Sequence, residues 1–226
     1  MEIIDPTDRT KVMRYRERGR YDRATVNAII DEALICHVGF DVSGQPYVIP
    51  TTHARIDRHL YLHGSVGNRM LRNMKAAIPV CVTMTLLDGL VLARSGMHHS
   101  MNYRSAVILG VAREVTEAAE KSAALDALVN HVVRGRTADI RPPHALEIKS
   151  TTVLRLPIEE ASAKVREGPP IDDEEDYALR CWAGVLPLTL RPGHPIDDPR
   201  LPPGVLVPRS VTGYTRVVQS ESDITT

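Results

Sequence analysis

The sequence predicts a mainly β domain with flanking helices, closed into a barrel. Three observations carry this prediction. Several segments alternate apolar and polar residues with period two, as in Leu34-Cys36-Val38-Phe40 and Val80-Val82-Met84-Leu86. Turn signals such as Asp41-Val42-Ser43-Gly44 separate them, so hairpin order is expected. Two or three helical stretches intervene, while the strands follow mostly in hairpin order, which reads as a barrel with helices at its ends.

Residues 1–20 are polar and charge-rich, ending in Arg14-Tyr15-Arg16-Glu17-Arg18-Gly19-Arg20, and read as an arm ordered by docking. Val26, Ile29, Ile30 and Ala33 recur at helical spacing behind an Asp22 or Thr25 cap. A strand over 34–40, a second over 45–53 and a third over 60–63 form a meander. Met70, Leu71 and Met74 mark a short helix that Pro79 closes. After the strand over 80–87, Asp88-Gly89 reads as a hairpin turn, with a return strand over 90–95. A β run covers 103–115, a helix 117–133 with Leu125, Leu128, Val129 and Val132 inward, and a strand 151–156. Residues 134–144 read as a basic, Pro-containing loop, and Asp172-Asp173-Glu174-Glu175-Asp176 as a solvated one. About six or seven strands and two or three helices are expected, in a domain over 21–186. A Pro-rich extended tail over 187–226 is expected to wrap a surface or a partner.

Lys and Arg number 28, as do Asp and Glu, so no global field steers the chain to nucleic acid or anionic lipid. The three cysteines are odd in number, far apart and outside any Cys-x-x-Cys pair, which argues against a disulfide framework and against a zinc site. No signal peptide and no apolar run of membrane-spanning length is seen, and a cytoplasmic location is expected.

Three segments hold the candidate chemistry. His63-Gly64-Ser65-Val66-Gly67-Asn68-Arg69 joins a strand to a helix; free amides, hydroxyl and guanidinium there suit a phosphate, although a capped turn explains the same residues. Arg94 to Ser105 packs two His, two Arg, three Ser, Asn and Tyr between strands. Hydrogen bonding to a polar ligand competes with a satisfied rim loop, and metal binding by the adjacent His98 and His99 is disfavoured because they point apart in extended backbone. Trp182, the single tryptophan, suits stacking, a dimer contact or the core equally. No Gly-x-Ser-x-Gly elbow is present, and Cys36 and Cys81 read as buried small hydrophobes.

Three runs resemble the family of small bacterial proteins related to pyridoxamine 5′-phosphate oxidase. They are Leu60-Tyr61-Leu62-His63-Gly64-Ser65-x-x-Asn68-Arg69, Ser95-x-x-His98-His99-Ser100-Met101-Asn102-Tyr103-Arg104-Ser105 with Gly110, and Trp182-Ala183-Gly184-Val185-x-Pro187. The branch is the flavin-nucleotide-binding one that includes nitroimidazole-resistance-type reductases. The resemblance implies a split β-barrel and a homodimer with two FMN sites at the subunit interface. It implies Val48, Ile49, Pro50, Thr51 and Thr52 along the flavin ring, and His63, Gly64, Ser65, Asn68 and Arg69 at the ribityl phosphate. Ser100, Asn102, Tyr103 and Arg104 would complete the site, with Trp182 near the flavin from either subunit. The segment Tyr47 to Thr52 lacks the Lys and Arg of true pyridoxamine-phosphate oxidases, so that activity is not expected.

The leading functional reading is an FMN-dependent oxidoreductase. It would take electrons from a reduced nicotinamide and pass them to a nitroaromatic, a quinone or a similar acceptor. His53, His98 and His99 are the candidate proton donors, because imidazole titrates near working pH. The alternatives are a non-catalytic FMN-binding protein and, as in related split barrels, a haem protein with an axial His. The phosphate cluster weighs against haem in this reading.

Overall fold

The structure is a computed structural model that describes residues 2–75 and 77–215, apart from the side chain of Arg69. Along the chain, β1 (Gly19–Arg20) precedes α1 (Arg23–Glu32), which Asp22 caps by accepting from the Thr25 amide at 2.8 Å. Four strands follow: β2 (Cys36–Val42), β3 (Gln45–Thr51), β4 (His53–Ile56) and β5 (His59–Ser65). Helix α2 (Arg69–Met74) leads to the long β6 (Pro79–Leu92), then β7 (Ser100–Val111) and β8 (Arg113–Glu114). Helices α3 (Ala118–Val132) and α4 (Ala145–Ser150) flank a 3-10 turn at Arg136–Asp139. The chain ends through β9 (Thr151–Pro157), β10 (Glu160–Arg166), β11 (Gly184–Pro187) and α5 (Arg209–Thr212).

All strand pairs are antiparallel. One sheet runs β1-β10-β7-β6-β2-β3 with β11 added alongside β6, and the other runs β4-β5-β9-β8. The chain passes from one sheet to the other at three corners: Thr52 between β3 and β4, Ala112 between β7 and β8, and the β9–β10 turn, where the Ile158 amide donates to Arg58 O at 2.8 Å. These shared corners make the two sheets a split barrel. Between them lies one apolar core of Val38, Leu60, Leu62, Val82, Met84, Ile108, Leu154 and Leu156, closed by Ile29 and Ile30 of α1 and by Leu71 and Met74 of α2.

Period-two alternation decides what the second sheet does. Leu60 and Leu62 enter the core, while Tyr61 packs with Val115, Ala124 and Val153 beneath α3. The Tyr61 hydroxyl donates to Glu120 at 2.9 Å, and Arg155 holds the same oxygen at 2.9 Å. Helix α3 is thereby fixed over the outer side of β4, β5 and β9.

Several expectations change. Asp88-Gly89 is not a hairpin turn: β6 runs through it with a bulge between Leu87 and Gly89. Gly89 is needed because a Cβ there would lie 3.0 Å from Val185 Cγ1 and 3.2 Å from Leu186 O, against β11. The reversal falls at residues 93–99 instead. The acidic run is not wholly solvated: the Asp172 carboxylate is buried and accepts from the Arg94 amide and Nη1, each at 2.9 Å. Among the described residues eleven strands form, against the six or seven expected. β1, β8 and β11 are too short to show a period, and β10, Glu-Ala-Ser-Ala-Lys-Val-Arg, alternates only weakly. The arm docks: Ile4 is buried in the core, Arg9 pairs with Glu160, and β1 extends the sheet beside β10. Among the described residues no helix is long and apolar enough to cross a membrane.

Candidate functional site

A cavity of about 900 Å³ lies between α3, the segment 133–143 and the outer side of β5. Its walls are apolar: Leu125, Leu128, Val129, Val132 and Ile140 with Pro142 and Pro143. Its polar groups are few. Thr52, His63 and Thr151 come from the sheet side, and Asp126, Arg136, Thr137, Arg141 and Glu147 from the opposite side. An apolar slot with a handful of placed polar groups is the usual form of a cofactor site.

The local sequence explains the geometry. In register, Ser65 pairs with Thr151 and His63 with Val153, so His63 and Thr151 sit on the side of the sheet that faces α3. Gly64 has no room for a side chain: a Cβ would lie 2.8 Å from Leu71 Cδ1. His63 Nδ1 is buried and has no hydrogen-bond partner, and burial pushes the imidazole pKa down. A neutral imidazole in an apolar slot is a ligand-ready group.

The rest of the segment His63 to Arg69 is used locally. Ser65 Oγ accepts from the Gly67 amide at 3.3 Å, and Asn68 Oδ1 caps α2 by accepting from the Leu71 amide at 3.3 Å. The side chain of Arg69 lies outside the described residues.

The strand 48–52 splits in role. Thr52 lines the cavity, while Val48 and Ile49 are exposed on the edge strand β3. Ser100, Asn102, Tyr103 and Arg104 are not beside it. Thr51 pairs with Cys36, next to the His37–Thr83 pair of β2 and β6, whereas Ser100 pairs with Val91. That is about eight residues further along β6, roughly 25 Å, whereas Arg104 pairs with Leu86, only three residues along and roughly 10 Å. Asn102 bonds Gly168 O and Arg166. Arg104 is engaged by two carboxylates, donating to Glu32 at 2.5 and 2.9 Å and to Asp88 at 2.8 and 3.0 Å. Those bonds hold its charge firmly in place. Trp182 is 69% exposed, its ring against the Gly184 backbone.

The histidines proposed as proton donors are placed elsewhere. His53 is fully buried, its Nε2 donates to Ile30 O at 2.9 Å, and burial pushes its pKa down to about 4. Its ring lies 4.7 Å from that of His131, which bonds Ala33 O, so both imidazoles serve the C-terminal end of α1. His98 meets Asp173 at 3.2 Å and His99 bonds Ser95 O at 2.8 Å, at the tip of the β6–β7 connection. Among the described residues no three His, Cys, Asp or Glu side chains cluster closely enough to hold a metal. Sequence reasoning missed the cavity-side wall, 133–143. Its available signal was the surplus of apolar residues on α3.

Comparison with known proteins follows the same outline. No curated protein matches the chain. The flavocytochrome Anf3 from Azotobacter vinelandii is 42% identical over 93% of this chain and 98% of its own, with a TM-score of 0.87. An FAD and haem binding protein from Mycobacterium smegmatis is 35% identical over 88% of this chain and 98% of its own, with a TM-score of 0.84. A candidate 5-nitroimidazole antibiotic resistance protein from Bacteroides thetaiotaomicron is 27% identical over 65% of this chain and 86% of its own, with a TM-score of 0.55. Residues 22–165, nearly the whole split barrel, match the pyridoxamine 5′-phosphate oxidase family, and the chain belongs to that family.

Proposed function

We propose that this chain is a homodimeric redox protein that holds a flavin and a haem and passes electrons to a small oxidised acceptor. The observation that carries the reading is the cavity with His63 at its wall: an imidazole whose buried Nδ1 has no hydrogen-bond partner, apolar sides and the guanidinium of Arg136 opposite fit a haem with its acidic edge. Two relatives above 30% identity, a flavocytochrome and an FAD and haem binding protein, support it. When bound, a flavin supplies two-electron and one-electron transfer and a haem one-electron transfer, and the protein's part is to position and tune them.

The residues of this chain divide accordingly. His63 is the proposed iron ligand, and Leu125, Val129 and Val132 exclude water from the slot. The flavin belongs on β3 and the turn at Ser65 to Arg69, by the motif resemblance. That resemblance implies FMN, whereas the Mycobacterium relative binds FAD, and the mass of the released flavin separates the two. The separation of Ser100 from β3 within one chain supports a composite site, with the second copy bringing its β6–β7 tip to the flavin. Exposed Val48, Ile49, Leu87, Met101 and Trp182 supply apolar surface for that contact. The proposed reductant is a reduced nicotinamide, and the proposed acceptor class is nitroaromatic or quinone.

The test is His63→Ala in the purified protein. Loss of haem absorbance with flavin retained is the expected result. Haem retained at full occupancy in the variant would remove His63 from the iron.

A further inference from the structure

The cavity presents two guanidinium groups, and they are not equivalent. Arg141 is committed: Nη1 and Nη2 donate to Glu147 at 2.8 and 2.6 Å. That pairing, helped by the His144 amide, holds the Glu147 carboxyl down to about 2. Arg136 is not committed. Its ion pair is with Asp139 at 3.7 Å, beyond hydrogen-bonding reach. Asp139 instead accepts from the Ser210 hydroxyl, on α5 of the C-terminal segment. The turn carrying Arg136 is itself fixed. Gly135 supplies a left-handed φ of 81°, and Asn130 of α3 bonds Thr137 Oγ1 at 2.9 Å and its amide at 3.3 Å.

We propose that Arg136 is the anion receptor of this cavity, taking the carboxylate of a haem propionate, and that Ser210 keeps it available by occupying Asp139. The inference rests on the haem reading above. Arg136 stands beside Val132, Val133 and Ile140 with its side chain 36% exposed, so a charge-assisted bond to a bound carboxylate would form at the rim of the apolar slot. Were Asp139 released, it would stand three residues along the same turn and neutralise Arg136 before a ligand did. The Pro-rich segment after β11 thereby acquires a role: it returns α5 to the edge of the cavity, where Ser210 meets Asp139. A flavin phosphate presents the same chemistry as a propionate, so the ligands in the test separate the two.

The full chain, stripped of cofactor, is titrated with haem, haem dimethyl ester, FMN and riboflavin, and binding is read by absorbance. Arg136→Ala is expected to weaken haem about ten- to hundredfold while leaving the dimethyl ester unchanged. Ser210→Ala should weaken haem less, and adding Asp139→Asn should restore it. A loss for FMN but not riboflavin, with haem unchanged, would keep Arg136 as the receptor and assign the anion to flavin phosphate. Equal losses for haem and its ester, or no loss for any ligand, would overturn the proposal while the haem reading stands on wild-type binding. Failure of the wild-type chain to take haem or flavin would overturn both.

Discussion

Replacing Arg104 by methionine removes a cation that two carboxylates share. Its guanidinium makes four hydrogen bonds, two to Glu32 and two to Asp88, tying the end of α1 to β6 and β7. The side chains of Arg104 and Glu32 are 12% and 10% exposed, and that of Asp88 is 34% exposed. Breaking a buried pair from one side costs about 3–5 kcal/mol, because the remaining charge stays desolvated. Asp88 is wet enough for its share to be discounted, and methionine preserves the packing of the stem, so about 3 kcal/mol is expected. For a chain of this size that is roughly 6–12 °C in Tm. Urea unfolding followed by circular dichroism measures it, with flavin affinity determined in parallel on the folded variant. Glu32→Gln in the same chain should recover part of the loss. A stability change below about 1 kcal/mol, together with a selective loss of flavin, would refute the structural assignment and return Arg104 to the ligand.

Three further outcomes follow from the same geometry. His53 has a pKa near 4 in the fold against 6.5 unfolded, so the unfolded chain takes the proton first and stability falls as pH drops from about 6.5 to 4. The loss is about 3 kcal/mol, and His53→Gln should flatten that slope; parallel slopes for the two proteins would exclude His53 as its source. Gly64→Ala places a methyl 2.8 Å from Leu71 Cδ1 and should cost about 1–3 kcal/mol by denaturant titration, whereas an unchanged midpoint would mean that α2 moves freely. Asp172→Ala should release residues 170–178 from Arg94 and expose them to proteolysis; equal cleavage rates in variant and wild type would show that other contacts hold the segment.

Much of the fold was legible because period and turn chemistry acted locally. The strand at 36–42 alternates strictly, and α1 and α3 carry helical spacing behind acidic caps. What misled was local grammar overridden by tertiary contact. Asp88-Gly89 has the composition of a turn, yet the glycine serves close approach of β11 to β6. Asp172 has the composition of a solvated run, yet Arg94 draws it inside.

Thr52 and His63 lie eleven residues apart in sequence, on opposite sides of a hairpin; the resemblance implies both at a flavin, and the fold places both on the wall of the cavity. Arg136 carried no signal, because a basic residue in a Pro-containing loop looks the same whether or not α3 encloses a slot beside it. The phosphate turn had weighed against haem.

The most direct test of the central claim is the absorbance spectrum of the purified protein with its released cofactors identified by mass. Flavin bands together with a Soret band, and masses of a flavin and a haem, are the predicted result. A colourless protein that takes up neither added flavin nor added haem would contradict the account.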